Sequence, residues 1–178
     1  MKGATPAGAS DEPKAFIRKA VISNIGIGFV LSIFFSVLLF SDKPLFTPFA
    51  PDRAALGIFP ATFNVTVLMT IGMTLSVRSR ARRGIVRAPD QGELPAASRW
   101  LPKPLMARAI AFAAAVTLIL APPTLLVVWG ATHIGLLPGQ WSLIGLIAYY
   151  AAYFAVHAMT VPPILIWRAL CEAEGRQA

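Results

Sequence analysis

Four stretches of this chain, Ala20–Phe40, Leu56–Val77, Ala109–Trp129 and Leu143–Trp167, contain no Asp, Glu, Lys or Arg. Each reaches the ~20 residues that an α-helix needs to cross ~30 Å of hydrocarbon. A chain of 178 residues would ordinarily make one soluble domain, but 56% of these residues are hydrophobic and 13% charged. The spans and their connections use nearly the whole length, which leaves no room for a separate catalytic domain. The pattern predicts an all-α integral membrane protein of four transmembrane helices, arranged as two in–out–in hairpins. The expected organisation is an N-terminal tail (1–19), a first hairpin (20–77), a basic Pro-rich linker (78–106), a second hairpin (107–168) and a tail (169–178). The first span is too long for a signal-peptide core and no small-x-small cleavage site follows it, so it reads as a retained helix.

The net charge of +8 is very unevenly placed. Residues 1–19 hold Lys2, Lys14, Arg18 and Lys19, and the linker holds Arg78, Arg80, Arg82, Arg83, Arg87, Arg99, Lys103 and Arg108. Arg168 and Arg176 follow the last span, whereas the opposite side has only Lys43 and Arg53. Positive loops stay cytoplasmic, so both termini are expected in the cytoplasm, and the expected location is a bacterial-type inner membrane. Arg78, Arg80, Arg82, Arg83 and Arg87 are read as contacts to anionic lipid headgroups. No aromatic residue is interleaved among them to stack on bases, so no nucleic-acid partner is expected. Trp129, Trp141 and Trp167 stand at span ends, where indoles anchor helices at the interface. Trp100 has the same reading in the linker. The single Cys171 excludes a disulfide within the chain.

The two halves align without gaps at an offset of 90 residues. Arg18 and Arg108 open the hairpins and Arg78 and Arg168 close them. Met69-Thr70-Ile71 matches Met159-Thr160-Val161, and Phe59 and Phe63 match Tyr149 and Tyr153. Two hairpins of the same orientation would form a parallel repeat about an axis along the membrane normal.

The candidate intramembrane site is polar. The second span carries Thr62, Thr66, Thr70 and Thr74, spaced i, i+4 and so on one helix face. Asn64 lies about 160° around from Thr66, away from that stripe. The fourth span carries Tyr149, Tyr153 and His157 at the same spacing, with Thr160 near the end of the line. A stripe of hydroxyls either back-bonds to carbonyls and lets another helix approach, or lines a polar path. An intramembrane histidine is a functional hypothesis by default. Bonded to Tyr153 or to a Thr on a facing helix, a neutral imidazole is instead an interhelical tie. Asn24 lies near the start of the first span, with Gly26, Gly28, Ser32 and Ser36 further along. Ala148, Ala152 and Ala155 form a small-residue face on the fourth. Pro122-Pro123 and Pro162-Pro163 should kink or unwind their helices.

The spans hold no carboxylate to carry protons or bind a cation, which argues against a pump or ion-coupled antiporter. Asp42 and Asp52 each have a neighbouring base and read as loop charges. No metal-ligand set, nucleophile–base pair or phosphate loop is present, so no catalytic residue, metal or cofactor is assigned. With His133 near the outer end, His157 has no partner in the chain for bis-His haem ligation. The expected role is a small non-enzymatic membrane component, bound to a membrane-protein partner or to copies of itself. The alternative is a small-solute transporter or channel, which requires the Thr stripe and the Tyr/His line to meet at a water-accessible cavity. A lipid- or quinone-modifying enzyme is the remote third reading.

Overall fold

The computed structural model describes residues 13–42, 44–49, 52–83, 102 and 104–174. These residues form helices α1 (Pro13–Phe40), α2 (Ile58–Arg82), α3 (Leu105–His133) and α4 (Leu143–Glu174), with a short 3-10 turn at Ala54–Gly57 before α2. All four helices are long and apolar enough to cross a membrane. α1, α3 and α4 contain their charge-free runs whole, α2 takes in all of its run but Leu56 and Gly57, and the helices extend beyond the runs mainly into basic flanking sequence. Residues 13–19, 78–82 and 169–174 are therefore helical. Ala169 and Leu170 are fully buried.

Helices consecutive in sequence are not the main packing partners. α1 packs along α4, α2 packs along both α3 and α4, and α3 touches α4 only slightly. The order across the bundle is α1, α4, α2, α3. At the loop end, the two connections are joined by an antiparallel bridge in which Phe46 and Trp141 exchange both backbone hydrogen bonds at 2.8 Å. Asp52 organises this end: its carboxylate accepts from the backbone N–H and hydroxyl of Thr47 at 2.8 and 3.0 Å. Trp141 is buried against this core rather than free to anchor at an interface. Trp129 is exposed and stacks on His133.

The burial pattern inverts that of a water-soluble bundle. α1 buries Gly28, Ser32 and Ser36 and exposes Phe29, Val30, Phe34, Leu38 and Leu39. α2 buries all four threonines of its stripe and leaves Leu68 70% exposed. Small residues inside permit close backbone approach, and large apolar ones outside suit a hydrocarbon solvent. Gly28 shows why: a Cβ there would lie 3.0 Å from the Cβ of Phe154 on α4. Both Pro-Pro pairs lie inside unbroken helices, so neither pair unwinds its helix. Each pair removes only two backbone donors, and nearby hydroxyls add bonds: Thr124 donates to the Leu120 carbonyl, and Thr160 reaches those of Val156 and His157.

Candidate functional site

Polar side chains gather in two places, one in the middle of the helices and one at the basic end. The central one joins α2 to α4. The i, i+4 spacing places Thr62, Thr66, Thr70 and Thr74 on the face of α2 that turns inward, and all four are buried. The Thr62 hydroxyl donates to the Ile58 carbonyl at 2.5 Å, which leaves it to accept from the Tyr153 hydroxyl at 2.7 Å. One turn on, the Thr66 hydroxyl pairs with Nε2 of His157 at 2.8 Å. Thr70 donates back to the Thr66 carbonyl, and Thr74 has no hydrogen-bond partner among the described residues. His157 therefore bonds across to Thr66, while Tyr153, its expected same-helix partner, bonds to Thr62. Phe154 meets the His157 ring edge-on at 6.0 Å.

Two members of the predicted line stand apart from this seam. Thr160 is exposed and bonds only to carbonyls of its own helix. Tyr149 is half-buried, its hydroxyl 3.4 Å from the Ala55 carbonyl. Its neighbour Tyr150, which the sequence did not single out, donates to Ala54 at 3.0 Å and closes the loop end over Gly57. The seam is tightly packed. A cavity of about 20 Å³ touches His157 among Asn24, Gly28, Val65 and Met69, room for roughly one water.

Larger hollows open on the outer surface. A groove of about 330 Å³ lies between α1 and α2, floored by Tyr150 and Phe154 of α4, and another of about 360 Å³ lies between α3 and α4. The first is apolar except for Ser32, Tyr150 and Asn64. Ser32 and Tyr150 already donate to carbonyls, whereas Asn64 is exposed. Ala148 and Ala152 are exposed as well, so the small-residue face of α4 is not fully consumed inside the chain.

At the basic end, Glu172 binds three arginines from three helices. Arg108 of α3 grips both carboxylate oxygens, at 3.0 and 2.5 Å, and its Nε donates to the Pro102 carbonyl at 3.0 Å. Arg78 of α2 bonds at 2.6 Å and Arg168 of α4 at 3.0 Å. Arg108 is the largest fully buried side chain among the described residues. Burial pushes the Glu172 carboxyl up, but the Arg78 and Arg108 hydrogen bonds and the charges of Arg108 and Arg168 outweigh it, and its pKa lies below its ordinary value. Sequence reasoning passed over Glu172 as one acid in a tail. Its signal was the i, i+4 pair with Arg168 in a segment that continues the last helix.

The five arginines assigned to lipid headgroups divide. Arg78 is engaged with Glu172, and the Arg80 guanidinium lies 5.2 Å from the ring centre of Phe16. Arg82 and Arg83 are exposed, and Arg87 lies outside the described residues, as does Trp100. No His, Cys, Asp or Glu cluster among the described residues could hold a metal ion. No protein-family model matches the chain, and no curated protein or solved structure is significantly similar to it.

Proposed function

We propose that this chain is a non-catalytic integral membrane protein, with both termini cytoplasmic, that docks a transmembrane helix of a partner or of a second copy. The observation that carries the reading is the exposed carboxamide of Asn64. It lies within about 4 Å, along the axis, of the middle of the apolar run Leu56–Val77. Around it, the buried hydroxyls of Thr62, Thr66 and Thr70 have partners inside the chain. An amide facing hydrocarbon without a partner is costly, and asparagines in membrane helices bond across to neighbours. The exposed Ala148 and Ala152, one turn apart, add a surface on which a helix can approach closely.

The positive-inside bias supports the orientation and the polar-in, apolar-out packing supports insertion. The parallel repeat draws support from the packing order, in which α1 on α4 and α3 on α2 exchange when the halves are swapped. It also fits the near-constant separation of α2–α4 contacts, such as Thr62 with Tyr153 and Thr66 with His157, 91 residues apart. A solute path has less to stand on, because Thr62, Thr66, Tyr153 and His157 bond to one another across a tight seam.

A photoreactive residue in place of Asn64 tests the docking reading in whole membranes. A discrete protein adduct is expected, and Asn64→Leu should weaken recovery of the same partner from mild detergent. Adducts to lipid alone, with a chain that purifies only as a monomer, would overturn it.

A further inference from the structure

The end of α2 carries a built recess that nothing above occupies. Arg78, Ser79, Arg82 and Arg83, with Leu75 one turn earlier, line a hollow of about 290 Å³. Positions 78, 79, 82 and 83 share one side of the helix, and Arg80 projects from the other side toward Phe16. Arg78 is held rigidly by Glu172 through one Nη, and its buried Nε has no partner among the described residues. Arg82 and Arg83 are exposed and form no ion pair among them. The recess therefore offers the Arg78 guanidinium, anchored by Glu172, with two further guanidiniums and a hydroxyl and nothing anionic in its lining.

We infer that this recess binds the phosphate of an anionic phospholipid. Guanidiniums match phosphate oxygens in planar, charge-assisted pairs, and the Ser79 hydroxyl can donate to a third oxygen. Leu75 is 53% exposed on the membrane side of the recess and extends the site toward an acyl chain, which favours a lipid-borne phosphate over a free one. Because Arg78 also ties α2 to Glu172, a bound headgroup would brace the junction of α2, α3 and α4. The inference rests on the membrane placement proposed above but not on the docked helix.

Intact-protein mass spectrometry from detergent, with phosphatidylglycerol or phosphatidylcholine titrated in, tests it. The full chain should bind one phosphatidylglycerol in clear preference to phosphatidylcholine. Arg82→Gln and Arg83→Gln should each weaken that binding at least about tenfold, and Arg80→Gln should change it less than about threefold. Arg82 and Arg83 support no other described contact, so unchanged helix content and monodispersity are expected for both variants. Equal losses for Arg80→Gln and Arg82→Gln would mean diffuse attraction to charge and would overturn the site. Displacement of the lipid by millimolar inorganic phosphate would reassign the recess to a soluble ligand and overturn the lipid assignment. Absence of lipid preference in a chain that still requires detergent for extraction would overturn the site and leave the membrane placement standing.

Discussion

Glu172 gathers three arginines, Arg78, Arg108 and Arg168, on one carboxylate. Removing the acid from a largely buried ion cluster leaves guanidiniums uncompensated, and Glu172→Gln should cost about 3 kcal/mol. The dependence on pH has a definite sign. The folded pKa is depressed, so the stabilisation is fully present above the unfolded value of about 4.3 and is lost as pH falls through the folded one. Thermal unfolding of the wild type in detergent should thus drop below about pH 4.3 relative to Glu172→Gln, with the difference between the two constant from pH 5 to 7. His157 makes a smaller contribution. If its bond to Thr66 is only an interhelical tie, His157→Gln should be nearly silent and His157→Phe should cost about 1 kcal/mol, measured by the same unfolding assay. A loss of function in His157→Phe with full stability would point to a role beyond the tie. The seam was legible in the sequence because hydroxyls and rings recur at i, i+4. The sequence left Tyr153 or a Thr on a facing helix as the partner of His157, and the choice of Thr66 depends on which helix faces α4.

At the level of elements, the four apolar helices follow from hydropathy alone, but their ends run past the charge-free stretches into the basic flanks. Which span packs on which is a different matter, because the small and polar residues mark which face of a helix turns inward but not which neighbour it meets. The α1–α4 contact depends on Gly28, whose missing side chain lets the helices approach at Phe154. Gly28→Val should separate them and cost about 1–3 kcal/mol. Gly26→Ala, two residues away with open space around its Cβ, should be neutral or slightly stabilising. A cysteine cross-link between α1 and α4 that forms in Gly26→Ala but fails in Gly28→Val would verify the contact. Equal cross-linking in both would refute it.

For the whole molecule, the orientation proposed from the charges is open to a direct test. In a Cys171→Ser background, a cysteine replacing Leu136, 76% exposed at the loop end, should react with an impermeant thiol reagent only from outside the cell. Labelling only from the cytoplasmic side would reverse the topology. The packing order α1, α4, α2, α3 also bears on biogenesis. When the ribosome has delivered α1 and α2, their eventual partners are still unmade, and the threonine face of α2 has nothing to bond but itself. On the membrane placement proposed above, the first half would wait in the bilayer, unassembled, until the second half inserts between and beside it. Two halves produced as separate polypeptides, divided within residues 84–101, should accordingly find each other and copurify, whereas either half alone should be a substrate for membrane quality control.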